Sequence, residues 1–313
     1  MTVFIIRRVI WTIPVILLVI LMTFLLMRQI GGNPFRKTER NVPEAIQANL
    51  ERQFHLDKPW YVQYAYYVKG VFTGDLGPSM SQRNRSVNDI VKDGFPRSLK
   101  LGLLAYFWAI LIGIPAGILA ALKPNSIFDY FAMFFSSVGF ALPSFFVATL
   151  LIYYVALKAG LVPTNGWPAG FWELDNRILL PSLALALFPM AYFARLVRGA
   201  MLETMQQDYV RTAKAKGLSY RRVVGLHVLR NSLIPAVTAT APLLGLIITG
   251  TFVIEFIFSI PGIGRYFINS VSNRDYSVVM GITVLTSVII VIANLFVDIM
   301  YGVLDPRTRE ARG

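Results

Sequence analysis

Residues 202–235 read LETMQQDYVRTAKAKGLSYRRVVGLHVLRNSLIP, a polar and basic stretch between two strongly apolar segments. The pattern of this basic loop predicts two short helices. The first runs to about Lys216 and ends at Gly217, since glycine readily adopts the left-handed conformation of many helix ends. The second covers residues 220–229, with the Ser219 side chain capping its N-terminus. Such a helix–turn–helix at a membrane surface would serve as a docking element.

The composition of the whole chain predicts an integral membrane protein. Of its 313 residues, 55% are hydrophobic and only 15% are charged, and the mean hydropathy is +0.57, whereas soluble domains carry about 25% charged residues. The net charge of +13 is interpreted as basic residues that flank membrane spans and face anionic lipid headgroups, and no nucleic-acid partner is expected. The chain has no cysteine, which excludes disulfides, thiolate metal sites and a cysteine nucleophile.

Six apolar segments are long enough to cross a hydrocarbon core of about 30 Å at about 1.5 Å per residue. We therefore expect an all-α membrane protein with six transmembrane helices and an extended external segment after the first. The predicted domains are an N-terminal transmembrane helix (1–30), an external helical segment (31–97) and a five-helix core (98–313) that includes the basic loop. The predicted spans are residues 9–27, 99–122, 128–157, 178–197, 234–258 and 278–303.

The distribution of basic residues predicts the orientation. Six spans place both termini on one side, and the short loops and termini of that side, the basic loop included, carry 14 lysines and arginines, against four in the short loops opposite. Cytoplasmic loops are enriched in lysine and arginine. Both termini and the basic loop are therefore predicted to be cytoplasmic.

The external segment is predicted to fold. Helices are expected over 41–54 and 60–71, a turn at 74–77, and a third short helix that Ser86 caps and that Gly94 and Pro96 end. Two interpretations stay open for this segment. It is either a platform for a partner or substrate, or a folded loop that braces the spans.

The sequence shows no motif for bond-making chemistry. It has no GxxxxGK[ST] phosphate loop, no GxSxG and no HExxH. The acids within spans, Glu255 and Asp298, are either functional or cap helix ends, and His55 and His227 lie too far apart to suggest a metal site. These features favour a transport pathway driven by a separate subunit. The alternatives are an ion-coupled secondary transporter, which would need an inverted repeat and midplane ion-binding groups, and a membrane-embedded enzyme, which would need a polar catalytic cluster.

Residues 208–217, DYVRTAKAKG, resemble the "EAA" loop of the membrane permease subunits of binding-protein-dependent ABC importers, in the form found in the B-type subunit of the oligopeptide, dipeptide and nickel branch. Aligned on Gly217, an alanine of the consensus matches Ala213, its glutamate falls on Arg211 and its proline on Arg230. The resemblance covers nearly the whole chain. Further matching motifs are Arg7-Arg8 with Ile13-Pro14, Gly32-Asn33-Pro34 (usually Gly-Asp-Pro), Gly74-Asp75-Leu76-Gly77 with Ser79, residues 260–264 (IPGIG) and Leu304-Asp305-Pro306-Arg307.

This resemblance implies the type I ABC importer transmembrane fold and one half of an alternating-access channel in a prokaryotic cell membrane. The implied partners are a second homologous permease, two cytoplasmic ABC ATPases that hydrolyse ATP, and an extracytoplasmic solute-binding protein. The chain itself is then expected to bind no cofactor and to be no enzyme. Peptides are the first expectation for the solute, with nickel, glutathione and other small solutes as alternatives. The expected ATPase-coupling residues are Asp208, Arg211, Ala213, Ala215, Gly217, Arg221 and Arg222.

Overall fold

A computed structural model describes residues 2–30, 49, 51–82, 84–168, 170, 173 and 175–304. Within these ranges the named elements are all helical, and one isolated bridge joins Pro78 to Ser86. In chain order the α-helices are α1 (Thr2–Ile30), α2 (Trp60–Thr73), α3 (Val87–Trp108), α4 (Ile114–Leu122), α5 (Ile127–Ala141), α6 (Ser144–Leu151), α7 (Leu179–Met205), α8 (Asp208–Ala215), α9 (Tyr220–Arg222), α10 (Arg230–Ser232), α11 (Ile234–Ile257), α12 (Ile263–Asn273) and α13 (Tyr276–Leu304). Wider π-helical turns occupy Ala109–Gly113, Ile152–Lys158 and Val223–Leu229.

The described part of the chain is all-helical, as predicted, and several of its helices are long and apolar enough to cross a membrane. Among the described residues, the helices long and apolar enough to span are residues 10–29, 87–122, 176–205 and 276–295. The bent pair 127–141 and 144–158 makes a fifth if it counts as one span. Helix α11 occupies the place of the fifth predicted span but is not among these helices, so the count of six stays a prediction. The predicted helix over 41–54 lies largely outside the described residues, as do Asn33 and the motif at 305–307.

The chain forms two compact units: residues 1–98 with 261–292 (unit 1), and residues 99–260 with 293–313 (unit 2). The core of unit 2 is organised around α7, against which other helices pack through glycines. A Cβ on Gly113 would lie 2.6 Å from the carbonyl oxygen of Met190, and one on Gly117 would lie 2.5 Å from that of Ala194. The Gly113–Gly117 GxxxG pattern therefore allows the backbones of the two helices to approach closely.

The proline-containing helices differ in how far the chain bends. Leu142 is extended, as residues before a proline usually are, and Pro143 is the N-cap of α6, whose helical segment lies at 109° to α5. The segment 127–158 is thus broken by a sharp turn between two helices. Pro115 lies in the first turn of α4, directly after the π-helical Ala109–Gly113, and helical structure continues through residues 87–122.

In unit 1, the prediction that Gly94 and Pro96 end a short helix is wrong, because α3 continues through both to Trp108. A Cβ on Gly94 would lie 3.0 Å from the backbone nitrogen of Ile263, so this glycine allows close packing rather than a helix end. Beside Pro96, the Arg97 guanidinium donates to the carbonyl of Asp93 at 2.7 Å, which adds a bond to the weakened turn. The predicted cap at Ser86 is confirmed, because its hydroxyl accepts from the N–H of Asp89 at 3.1 Å.

Unit 1 also contains a buried carboxylate that fixes a turn. Asp275 is fully buried and accepts hydrogen bonds from the hydroxyls of Ser79 and Ser81 and from the backbone N–H groups of Met80 (3.1 Å) and Ser81 (3.0 Å). It also accepts from the N–H of Val278 at 3.2 Å, within the first turn of α13. One carboxylate therefore holds the 79–81 turn against the start of the last helix.

Candidate functional site: the basic loop between α7 and α11

The basic loop begins with a break that the sequence did not predict. The first predicted helix of the loop is α8, which begins at Asp208 and is separated from α7, whose last residue is Met205. Between them, the N–H groups of Gln206 and Gln207 bond to the carbonyls of Glu203 and Thr204 at 3.1 Å each, which closes the end of α7. Gln207 is then extended, so α8 is a separate short element attached to α7.

Helix α8 ends as predicted, in a tight left-handed turn at Gly217. Its φ is +77°, its N–H bonds to the carbonyl of Lys214 at 3.0 Å, and the N–H of Leu218 bonds to the carbonyl of Ala213 at 3.3 Å. This pair of bonds is the Schellman motif of helix C-termini. A Cβ on Gly217 would meet nothing within 4 Å, so the requirement for glycine is conformational and not steric.

The second helix forms where the sequence predicts, but its cap differs. Ser219 has the extended conformation of an N-cap, yet its side chain forms no capping hydrogen bond, so that part of the prediction is wrong. Its backbone carbonyl accepts from the N–H groups of Arg222 (2.9 Å) and Val223 (3.0 Å). Helical structure then continues from α9 through the π-helical Val223–Leu229 and α10 to Ser232.

One face of the loop is buried against α7. Val210 is 0% exposed and Ala213 is 5% exposed, and they belong to the same hydrophobic cluster as Val197 and Met201 of α7. Three valines of the second helix complete that cluster: Val223, Val224 and Val228. Because both limbs of the loop share this core with the end of α7, a force on the loop acts directly on that helix.

The opposite face carries charge and large apolar side chains. Of the seven predicted coupling residues, Ala213 is buried and the other six are exposed. The ion pair between Asp208 and Arg211 is long, at 3.7 Å, and both side chains are largely exposed, so it adds little stability. The sequence reading missed Tyr220 and Leu226, which are 57% and 61% exposed. Both residues fall off the helical face formed by the buried valines of the same helix, and this periodicity could have revealed them in the sequence.

The two limbs are also joined by a polar contact. The side-chain amide of Asn231 donates to the Tyr209 hydroxyl at 2.9 Å. A tyrosine and an asparagine 22 positions apart form no pattern from which this contact could be predicted. The exposed face of the loop therefore combines a basic surface with aromatic and aliphatic contact points on a scaffold fixed from two sides, an arrangement suited to docking a folded partner.

The other residues that the sequence singled out lie elsewhere. Glu255 is buried in α11, and Asp298 lies in α13 with its side chain outside the described set. His55 stacks on the ring of Tyr66 at 4.5 Å, far along the chain from His227 in the loop. Within the described ranges, no three acidic or histidine side chains converge on a point that could hold a metal ion.

Unit 1 contains a cavity of about 760 Å³, within the usual size range of ligand pockets. Its wall is largely aromatic and apolar, with polar groups interspersed. The Tyr67 hydroxyl is buried beside it and has no hydrogen-bond partner among the described residues. Burial raises the pKa of this phenol above its ordinary value.

The family matches identify this helical chain as the membrane-embedded component of a transport system. Residues 113–310 match the family described as binding-protein-dependent transport system inner membrane component, and residues 1–102 match the N-terminal membrane component of such systems. The first match alone covers more than half of the chain. The protein belongs to this family.

Several curated relatives are similar to this chain over nearly their full length. The dipeptide transport system permease protein DppB of Bacillus subtilis is 46% identical over 294 residues, which cover 94% of both chains. The oligopeptide transport system permease proteins OppB of Haemophilus influenzae and of Escherichia coli K12 are 40% and 41% identical over 306 residues, which cover 98% of this chain and 99% of theirs.

Among solved structures, a chain of the MetNI methionine ABC transporter in an inward-facing conformation matches with a TM-score of 0.54 at 16% identity. The match covers 69% of this chain and 96% of that one. A second crystal form of the same transporter gives a TM-score of 0.53. At this identity the likeness shows a shared fold and nothing about the solute.

Proposed function

We propose that this chain is the permease subunit of an ATP-driven ABC importer and forms half of the translocation pathway for oligopeptides or dipeptides. The observation that carries the proposal is the near full-length similarity, at 40–46% identity, to permease proteins of dipeptide and oligopeptide transport systems. Nickel, glutathione and other small solutes are the alternatives within the same class of importer.

The proposed complex contains a second homologous permease, two ABC ATPases and a solute-binding protein. ATP would be hydrolysed by the ATPases, since the chain has no GxxxxGK[ST] phosphate loop. The proposed orientation places both termini and the basic loop in the cytoplasm, on the strength of the lysine and arginine distribution. The basic loop is then the surface that the ATPases contact.

The two faces of the loop support this role. The exposed face offers Arg221 and Arg222 together with Tyr220 and Leu226 for docking, while the buried face is packed into the end of α7. In the proposed mechanism, ATP binding draws the ATPases together and the loops move with them as rigid bodies. That motion opens the bundle outward to accept the solute, and ATP hydrolysis resets it.

The 74–81 region is proposed to face the outside, where the solute-binding protein docks. Support comes from the hydrogen bonds that hold this region in one conformation. Asp275 holds the 79–81 turn, and the Asn88 amide bonds to the carbonyl of Gly74 at 2.6 Å and accepts from the N–H of Leu76 at 2.8 Å. A surface fixed before binding loses little conformational entropy when a partner docks.

The test is uptake by the reconstituted complex in proteoliposomes, with the solute-binding protein supplied outside and ATP inside. Arg221→Glu is expected to lower peptide uptake per ATP hydrolysed by about 10-fold, a change in coupling of about 1.4 kcal/mol. Lys158→Glu, a charge reversal in the predicted outer loop, is the matched control and should leave that ratio unchanged.

Each alternative predicts a different result. Uptake of nickel or glutathione in place of peptides would assign another solute to the same machine. Uptake by the permease without the ATPases, driven by an ion gradient, would instead identify a secondary transporter. An unchanged ratio of uptake to hydrolysis in Arg221→Glu would remove the docking role of the basic loop.

A further inference from the structure

Helices α5 and α7 of unit 2 are joined by an ion pair that is shielded from solvent. The side chain of Asp129, in the first turn of α5, is 3% exposed, and that of Arg198 on α7 is 25% exposed. The guanidinium binds both carboxylate oxygens, through Nε and, at 2.7 Å, through Nη2. This bidentate geometry is the strongest and most directional form of an arginine–carboxylate contact.

The same carboxylate closes the turn that leads into α5. The backbone N–H of Asn125 donates to Asp129 at 2.9 Å, and Asn125 itself has a positive φ of 58°. The Ser126 hydroxyl in turn accepts from the N–H of Asp129 at 3.4 Å and caps the helix. Asp129 therefore fixes the 123–126 turn, the start of α5 and the side of α7 with one group.

Further along the two helices, a second arginine strengthens the contact. Arg195 lies three residues before Arg198, hence on the same side of α7. Its guanidinium lies 4.6 Å from the centre of the Phe140 ring and donates to the Ser137 hydroxyl at 3.1 Å. Beyond it, a Cβ on Gly139 would lie 2.7 Å from the Cβ of Ala191. Helices α5 and α7 are thus held together over several turns by contacts that leave little room to slide.

The position of the pair relates it to the basic loop. Arg198 lies seven residues before Met205, the last residue of α7, a distance of about 10 Å along a helix. Val197 and Met201, on either side of Arg198 in sequence, belong to the hydrophobic cluster that contains Val210 and Ala213 of the loop. The ion pair and the loop are therefore attached to the same short segment of α7.

Packing alone does not require charges at this place. Replacing a buried ion pair with well-packed apolar residues is often neutral or stabilising, because desolvation of the two ions offsets much of their attraction. A bidentate pair differs from an apolar contact in fixing both distance and direction. Those properties matter where one helix must follow another without slipping.

We propose that Asp129 and Arg198 are a positioning pair that makes α5 and the 123–126 turn move together with the basic loop during transport. The proposal rests on the coupling role of the loop given above and adds the path by which its motion enters the bundle. Motion of the loop turns the end of α7, and the ion pair transfers that motion to the start of α5. At the other end of α5, the 109° bend at Leu142–Pro143 marks where this rigid segment stops.

Two readouts test the proposal in the complete reconstituted complex. Asp129→Asn and Arg198→Gln are each expected to lower peptide uptake per ATP hydrolysed by about 10-fold, with hydrolysis itself retained. Asp175→Asn is the control, because Asp175 forms a local ion pair with Arg177 (2.6 Å, through one guanidinium nitrogen) in the turn before α7, away from the loop. It should leave the ratio of uptake to hydrolysis unchanged.

The second readout follows the motion itself. The chain has no cysteine, so spin labels can be placed at Ile127 on α5 and Gln206 at the start of the loop, both exposed. Electron paramagnetic resonance should show the same narrow distance distribution with and without ATP in the otherwise unchanged protein. In Asp129→Asn the distribution is expected to shift or broaden when ATP is added. A merely stabilising pair would not affect this measurement in folded protein.

The double variant Asp129→Asn/Arg198→Gln separates coupling from the cost of an unpaired charge. It leaves no buried ion without a partner, so it remains usable if the single variants do not fold. The proposal expects it to fold with the lowered uptake ratio and the altered label distances. Normal coupling and unchanged distances in the double variant would overturn the proposal.

The failure of this proposal is distinguishable from failure of the coupling loop itself. If Arg221→Glu uncouples transport but the Asp129 and Arg198 variants do not, the loop acts through a different contact with the bundle. If Arg221→Glu is also without effect, the proposed function of the loop is at fault.

Discussion

The side-chain amide of Asn231 donates a hydrogen bond to the hydroxyl of Tyr209, 22 positions earlier in the chain, at 2.9 Å. The same nitrogen donates to the carbonyl of His227 at 3.1 Å, which orients the amide. This contact joins α8 to α10 at the exposed side of the basic loop, opposite the hydrophobic cluster. The two limbs of the loop are therefore closed both by apolar packing and by a polar link.

Removing that polar link should loosen the loop without unfolding it. In Tyr209→Phe the ring stays and the hydroxyl is lost, and an exposed hydrogen bond of this kind contributes about 0.5 kcal/mol. Amide hydrogen exchange in residues 208–215 is expected to quicken about two-fold. Tyr220→Phe is the control, because the Tyr220 hydroxyl has no partner among the described residues. Equal exchange rates in Tyr209→Phe and the unaltered protein would show that the hydrogen bond between Tyr209 and Asn231 does not stabilise the loop.

Substitution of Gly217 should destabilise the loop only by the free energy that a residue with a side chain needs to adopt the left-handed conformation. Gly217→Ala is expected to destabilise the loop by about 1 kcal/mol, since φ is +77° and the added Cβ meets no neighbour. Gly217→Asn should cost less, because asparagine tolerates this conformation better. Gly225→Ala is a matched control, since its Cβ also meets open space and its φ is not positive. Thermal unfolding of the purified complex should show the largest loss of stability in Gly217→Ala, a smaller loss in Gly217→Asn and no loss in Gly225→Ala. A Gly217→Asn variant less stable than Gly217→Ala would contradict the conformational explanation.

Neutralising Asp275 should release the 79–81 turn. An amide in Asp275→Asn can accept through one oxygen only, so several of the donors that now reach the carboxylate lose their partner, at a cost of about 1–3 kcal/mol. Hydrogen exchange at Met80 and Ser81 is the direct measurement and should accelerate. Asp57→Asn provides the comparison, because among the described residues Asp57 forms an exposed ion pair with Lys58 at 3.4 Å. Unchanged exchange at both amides would mean that the turn is fixed by other contacts.

Two tyrosines of α2 should respond in opposite ways to loss of the hydroxyl. Tyr67→Phe removes a buried hydroxyl with no hydrogen-bond partner among the described residues, so stability should stay equal or rise by up to about 1 kcal/mol. Tyr64→Phe removes the hydroxyl that donates to the carbonyl of Leu17 at 3.0 Å and should lower stability by about 1 kcal/mol. Denaturation of the two variants side by side measures the difference. A loss of stability in Tyr67→Phe would reveal a partner for its hydroxyl.

Two glycines show what the sequence could and could not predict. Both Gly94 and Gly217 follow a helical pattern, and both were interpreted as helix ends. Gly217 is one because the residues needed for its Schellman turn are its own neighbours, so the local sequence contains the information. Gly94 lies inside α3 because its lack of a side chain accommodates Gly262 and Ile263, which are distant in sequence. Local pattern cannot separate a glycine required for conformation from one required for packing.

The functional loop shows the same division. The local pattern predicted the helix end at Gly217 and the second helix after Ser219, but the importer motif does not say which side of α8 faces outward. Ala213, a consensus position, is buried against α7. Tyr220 and Leu226, outside the quoted motif, are exposed where a partner could reach them. The bond between Tyr209 and Asn231 depends on the turn between two helices, whose geometry no residue pattern specified.

The dependence of the loop on α7 has a practical consequence for inhibition. Helix α8 has eight residues, below the length of about 12–15 residues at which an isolated helix becomes marginally stable in water. The helical run 220–232 only just reaches that length, and its middle is π-helical. A synthetic peptide copied from residues 206–233 would lack Val197 and Met201, which cover its apolar face here, and would be largely unstructured. A competitor for this surface would have to carry its own substitute for the end of α7, for example by grafting the loop onto a designed helical scaffold.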